Sequence, residues 1–251
     1  MLDRTTMIDR LKAALTPSDR FRAAWLGGSD ATGRADERSD IDLMVVVQDG
    51  QVEAAVEQVE NAIRELSPIR VSYRMPMPNW HGFHQAFYQL EKAPEDLMID
   101  WLMMEVGQVH PWFEVERHGT PVVLFDKDGL ISEAHVDRKA IDETIQKKVR
   151  DIITKYRLFR HLPVKCAERG LPLDAIGFYQ PMIVRPLVDL ARSLHCPERH
   201  DYGLRYLRDD LPADLYQRLA LIAYPATVEQ IPFLAREANL LFDELAARCG
   251  A

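Results

Sequence analysis

The chain has 251 residues, 47% hydrophobic and 28% charged, with a formal net charge of -8. This is a globular composition, long enough for one large or two modest cores. Its acidity argues against a general nucleic-acid binder, which displays a basic face.

Three cysteines, Cys166, Cys196 and Cys249, stand far apart without a Cys-x-x-Cys pair, a usage that fits a reducing compartment and not a zinc or disulfide framework. Met1-Leu2-Asp3-Arg4-Thr5 lacks the apolar run of a signal peptide, and nowhere do about eighteen apolar residues follow one another, so a soluble cytoplasmic chain is expected.

In chain order, Thr5 or Thr6 is expected to cap a helix reaching about Leu15, with Met7, Ile8, Leu11 and Leu15 on one stripe. Residues 21–26 read as a strand that delivers the chain into Gly27-Gly28-Ser29. A ten-residue spacer, 30–39, carries Gly33, Arg34 and Arg38, and is followed by Asp40-Ile41-Asp42-Leu43 and the apolar Met44-Val45-Val46-Val47. Side chains alternate along a strand, so Asp40 and Asp42 share a face while Ile41 and Leu43 enter the core. Two carboxylates on one face suit a hard divalent cation, which takes carboxylate and phosphate oxygens together. The glycines let backbone approach a phosphate. A short helix opening at Gly28 or Ser29 would aim its N–H groups at β- and γ-phosphates, with the Ser29 hydroxyl as a further donor. Arg34 and Arg38 are further candidates to reach a triphosphate. The competing reading is a glycine turn before an ordinary strand whose aspartates face water.

This ordered set, a strand end, Gly-Gly-Ser, a spacer and Asp-x-Asp inside an apolar run, resembles the signature of the nucleotidyltransferase superfamily that includes DNA polymerase beta and kanamycin nucleotidyltransferase. The resemblance implies nucleotide binding by Gly27, Gly28, Ser29 and Arg34, metal binding by Asp40 and Asp42, and a third carboxylate on a later strand.

Residues 52–66 have a helical apolar period, Pro68 closes it, and 69–73 alternate as a strand, an order that implies a parallel crossover with the helix on one sheet face. The prolines of Met75-Pro76-Met77-Pro78-Asn79-Trp80-His81-Gly82 forbid a helix there; this loop is a candidate lining for an acceptor pocket. His81 and His84, three apart and without a third nitrogen or sulfur ligand nearby, make a weak zinc pair. Residues 87–90 read as a strand. Next comes the nearly unbroken apolar run Leu97-Met98-Ile99-Asp100-Trp101-Leu102-Met103-Met104, whose central carboxylate is costly unless compensated. Asp100 matches the family's third carboxylate, as metal ligand, general base or both, with Asp96 the fallback. Residues 121–125 form the expected last strand, and their ending, Val-Leu-Phe-Asp-Lys-Asp-Gly, resembles that of antibiotic nucleotidyltransferase domains.

From Val136 helical periods take over, and the expected boundary lies near 131–137. The expected fold class is α+β: a nucleotidyltransferase domain over 1–132 with a mixed β-sheet flanked by helices, then an α-helical bundle of four or five helices over 133–251. Pro181 and Pro186 are expected to kink or split the helix over 173–194. The segments 185–192 and 200–207 are similar to helical domains of aminoglycoside- and lincosamide-modifying enzymes, which makes Arg205 and Tyr206, with His200, candidates for contact with nucleotide or acceptor. Arg157 with His161, or Arg192 with His195, also invites comparison with the Arg/His pairs of helical ribonucleases, at a shorter spacing.

The resemblance implies Mg²⁺, two ions, and transfer of a nucleoside monophosphate from an NTP, ATP being favoured, to a hydroxyl of a small-molecule acceptor such as an antibiotic, with release of pyrophosphate. A monomer or homodimer is expected, without membrane or nucleic-acid partners. The alternatives are an antitoxin-like enzyme that adenylylates a protein, and a catalytically silent nucleotide-binding module.

Overall fold

A computed structural model describes residues 1–108 and 114–250. The chain divides into two compact units, Met1–Val136 and Asp137–Ala251.

The first unit opens with α1 (Arg4–Leu15), capped by Asp3 and not by either threonine. The Asp3 carboxylate accepts both the N–H and the hydroxyl of Thr6 at 2.8 Å, which satisfies an otherwise orphaned first-turn donor. There follow β1 (Phe21–Leu26), the single turn α2 (Gly28–Ala31), β2 (Ile41–Val47), α3 (Val52–Leu66), β3 (Ile69–Arg74), β4 (His84–Leu90), β5 (Met98–Glu105), α4 (Val115–His118) and β6 (Val122–Asp126).

The strands form one mixed sheet in the order β3-β4-β5-β2-β1-β6. β2 and β5 pair in parallel, and the other neighbours are antiparallel. β2 and β3 run in the same direction, as a crossover through α3 requires, but they are not neighbours. β5 and β4 lie between them and leave β3 at the edge, where Val71 and Tyr73 are exposed.

Alternation sorts the sheet residues into two faces. Ile41, Leu43, Val45 and Val47 of β2 and Ile99, Trp101 and Met103 of β5 are buried with Met7, Leu11 and Leu15 of α1 and Val56, Val59 and Ile63 of α3. The opposite face carries a smaller cluster, Ala23, Trp25, Val46, Leu102 and Met104, with Met44, Phe83 and Leu130 against it. Asp42 and Asp100 have the parity of this second face.

In the second unit α5 (Arg138–Phe159), α6 (Leu162–Glu168), α7 (Pro172–Tyr179), α8 (Arg185–His195), α9 (Leu207–Asp210), α10 (Ala213–Ala223) and α11 (Ile231–Arg248) surround an apolar core. The two prolines do not separate α7 from α8 by a loop. A π-helical turn, Gln180–Val184, takes up Pro181 and runs directly into α8, whose second residue is Pro186; at the junction the Arg185 N–H donates to the Gln180 carbonyl. Tyr156 stacks on Phe242 with centroids 3.7 Å apart.

Arg192 is fully buried among these helices, so the Arg192–His195 comparison fails on access: the guanidinium is spent on structure. It pairs with Asp210 at 2.8 Å and donates to the carbonyls of Gly203 at 2.7 Å and Arg205. These bonds tie down the segment holding Tyr206, which has a left-handed φ of 58°. Among the described residues no helix is long and apolar enough to cross a membrane.

Removing one partner of a buried pair leaves the other charge uncompensated. Asp210→Ala is therefore expected to destabilise the helical unit by about 3 kcal/mol. Urea unfolding followed by circular dichroism measures it; a midpoint equal to wild type would contradict the role given to Arg192.

Candidate active site

The site is assembled at the end of β1 and the start of β2. Gly27 leaves β1 and donates its N–H to the Asp42 carbonyl at 2.9 Å, locking the turn to the neighbouring strand. Gly28 has φ of 51°. A β-carbon there would fall 1.8 Å from Asp42 Oδ2, so glycine is demanded twice, by conformation and by the closeness of the carboxylate. Ser29 follows in α2, and its Oγ is buried with no hydrogen-bond partner among the described residues. An unpaired buried hydroxyl costs roughly 1–3 kcal/mol, and an anionic oxygen would satisfy it. The cradle and this hydroxyl fit a phosphate at the turn.

The spacer folds back over α2: the Arg34 N–H donates to the Ser29 carbonyl at 2.9 Å. A residue that the sequence reading passed over holds its far end. Arg4, from α1, pairs with Asp30 and donates to the carbonyls of Ser39 at 2.9 Å and Asp40 at 3.2 Å. No local signal marks Arg4, because its partners are more than twenty residues away.

Asp42 and Asp100 are direct partners in the parallel β2–β5 register. Both are half-buried on the same face. Burial pushes the Asp100 carboxyl above its ordinary pKa. The Gln85 amide, at 2.8 and 3.1 Å from its two oxygens, opposes that rise, and the charge of Asp40 adds to it. Asp40 lies one residue before β2, and its Oδ1 accepts the Met98 N–H at 3.0 Å. Among the described residues no three His, Cys, Asp or Glu side chains converge closely enough to cage a metal by themselves. Mg²⁺ does not need such a cage, since it is ordinarily held by one or two carboxylates together with substrate phosphates.

The remaining candidates separate clearly. Asp96, the fallback carboxylate, is exposed and bonded to Arg38, whose Nε donates at 2.8 Å. His84 points to the α3 side of the sheet, 3.4 Å from Arg74, whereas His81 lies on the Asp100 side, 3.1 Å from Gln85; the sheet itself prevents them from sharing a zinc ion. Arg205 and Tyr206 belong to the helical unit, where the Arg205 guanidinium lies 5.3 Å from the centroid of the Tyr206 ring and 3.3 Å from its hydroxyl.

The two demands on Gly28 can be separated by substitution. Gly33 also has a positive φ, 68°, but open space around its missing β-carbon. Gly33→Ala is expected to cost about 1 kcal/mol for conformation alone, and Gly28→Ala measurably more, because Asp42 must move. Thermal melts compare them; equal losses would mean that Asp42 does not press on the turn.

Residues 15–94 match the family model described as a nucleotidyltransferase domain. No curated protein matches the sequence. Among solved structures the chain is similar to an aminoglycoside 6-adenyltransferase from Bacillus subtilis, with 14% identity, 99% of this chain and 90% of that one covered, and a TM-score of 0.38. It is likewise similar to a spectinomycin adenyltransferase from Enterococcus faecialis with ATP and spectinomycin, with 14% identity, coverage of 98% and 99%, and a TM-score of 0.38. The matched segment holds the Gly-Gly-Ser turn and the Asp-x-Asp strand and stops short of Asp100. What the comparisons mark is thus a nucleotidyltransferase domain over residues 15–94, the part of the chain that holds the turn and the acidic strand.

Proposed function

We propose that this protein transfers a nucleoside monophosphate from a nucleoside triphosphate, ATP being favoured, to a hydroxyl of a small-molecule acceptor. The observation that carries the reading is the contact between the Gly28 turn and the Asp42 carboxylate, with Asp100 beside it in register. Gly27, Gly28 and Ser29 bind the β- and γ-phosphates: the backbone comes close at the glycines, and the Ser29 hydroxyl donates to a phosphate oxygen. Arg34 folds over the same turn and completes the phosphate side.

Asp42 and Asp100, with Asp40 next to them, are the residues that would hold Mg²⁺ together with the substrate phosphates. When bound, the metal neutralises charge on the phosphates and supports in-line displacement at the α-phosphorus. Asp100 accepts the proton of the acceptor hydroxyl as its oxygen attacks. The new oxygen–phosphorus bond forms, the bond to the bridging oxygen breaks, and pyrophosphate leaves with the electron pair.

For the acceptor, the net charge of -8 favours a cation over another anion. An aminoglycoside-like molecule, with hydroxyls and several ammonium groups, fits that chemistry, as antibiotics of this class do. Arg205 and Tyr206 are assigned to the nucleotide on the resemblance of their segment alone.

The test is transfer from α-labelled ATP to a panel of cationic, hydroxyl-bearing acceptors. Wild-type protein is expected to form a labelled small product that chelation abolishes and Mg²⁺ restores. Asp42→Asn is expected to lose at least roughly 100-fold in rate. Transfer by Asp42→Asn at the wild-type rate would overturn the metal assignment, and label appearing on protein would overturn the small-molecule acceptor.

A further inference from the structure

Asp100 is not free to choose its rotamer. In the antiparallel register of β4 and β5, Phe87 stands opposite Asp100 and Gln85 opposite Leu102. Gln85 thus reaches Asp100 along the diagonal of the same face. Its Nε2 lies 2.8 Å from Oδ1 and 3.1 Å from Oδ2 of Asp100. Its own oxygen, Oε1, is 3.1 Å from Nε2 of His81.

The other side of the His81 ring gives this chain a direction. Nδ1 accepts the N–H of Phe83 at 3.1 Å. A ring nitrogen that accepts carries no hydrogen, so the hydrogen sits on Nε2 and is donated to Gln85 Oε1. The Gln85 amide then has one satisfactory orientation, oxygen toward the imidazole and NH₂ toward the carboxylate. Flipped, it would set an oxygen against the Asp100 oxygens and an N–H against the imidazole N–H.

The loop that presents His81 is itself braced. Asn79 donates to the Phe83 carbonyl at 2.8 Å and accepts the Gly82 N–H at 2.8 Å, while Phe83 stacks on the His81 ring at 5.9 Å. Gln85 occupies no more than two of the roughly four lone-pair positions of the carboxylate, and the rest stay available toward Asp42.

We propose that Gln85 and His81 are positioning residues for Asp100, a directional hydrogen-bond chain from the proline-rich loop that holds this carboxylate in the rotamer the transfer reaction uses. The inference rests on the reading of Asp100 as a reacting carboxylate. It turns the loop after β3 from a surface connection into part of the catalytic support, with His81 acting only through Gln85.

Two measurements test it. In the protein without nucleotide, long-range nitrogen–proton NMR of the His81 ring is expected to show hydrogen on Nε2 and none on Nδ1. His81→Phe keeps a ring to stack on Phe83 and is expected to shift the Gln85 side-chain amide. In the transfer assay, Gln85→Leu is expected to lower kcat roughly 10–100-fold, with KM for the triphosphate within about twofold of wild type. His81→Phe is expected to lower kcat less, and His81→Gln, which can still donate, to recover part of that loss. The double variant is expected to be no worse than Gln85→Leu alone, because the second residue acts through the first.

Losses that add in the double variant, or hydrogen found on Nδ1, would overturn the chain. Inactive Asp100→Asn with fully active Gln85→Leu would overturn it while leaving the role of Asp100 standing. Fully active Asp100→Asn would overturn both, even with the tautomer as described.

Discussion

The parallel ladder between β2 and β5 forces Asp42 and Asp100 side by side, and most of what is distinctive in the first unit answers to that constraint. Burial and the neighbouring charge of Asp40 both disfavour the ionised Asp100 carboxylate, so acidic side chains gathered at this end of the sheet carry an electrostatic cost. The fold accepts this on the face that has the smaller apolar cluster and keeps the residues that β2 and β5 turn to the opposite face, under α1 and α3, apolar. The cost is tolerable because each carboxylate has its own surroundings. Asp42 lies against the Gly28 turn, which has no side chain to displace it, and Asp100 takes the Gln85 amide. A cation bridging protein and triphosphate would offset the same cost, which is why such a pair is better explained by chemistry than by stability.

The supports around the pair come from distant parts of the chain. Arg4 at the start of α1 pins the spacer between the turn and β2, and Gly119 leaves room for the Ala31 carbonyl, which accepts the Thr120 N–H at 2.9 Å. The Gly28 turn, the spacer and the acidic strand are thus fastened from both ends of the unit. Rigid placement of this kind lowers the entropic part of a barrier, since the reacting groups need not be gathered first.

Much of this framework was legible in the residues. Phe21–Leu26 and Val52–Leu66 follow from period and punctuation, and Asp100 stood out because a charge in an apolar run needs a reason. What could not be read is whatever depends on register between distant strands. Glutamine on a strand carries no message of its own; Gln85 matters because the β4–β5 pairing sets it diagonal to Asp100. The edge position of β3 was equally hidden, because a crossover fixes direction without saying how many strands will later fill the gap. Pro181 and Pro186 did mark the division of this helix into α7 and α8; what they could not tell is that a π-helical turn, and not a loop, joins the two. Asp3 displaces two threonines as helix cap because it stands two residues before Thr5, next to the first helical residue Arg4, with a carboxylate as acceptor.

The central claim is that Asp42 and Asp100 together hold a divalent cation against a triphosphate seated on the Gly28 turn. Crystals grown with Mn²⁺ and a non-hydrolysable ATP analogue test it most directly through the anomalous signal of the metal. The account predicts a peak within about 2.2 Å of an oxygen of each aspartate and of a phosphate oxygen, with the β- and γ-phosphates against Gly28 and Ser29. A triphosphate bound elsewhere, or a metal touching neither carboxylate, would contradict it.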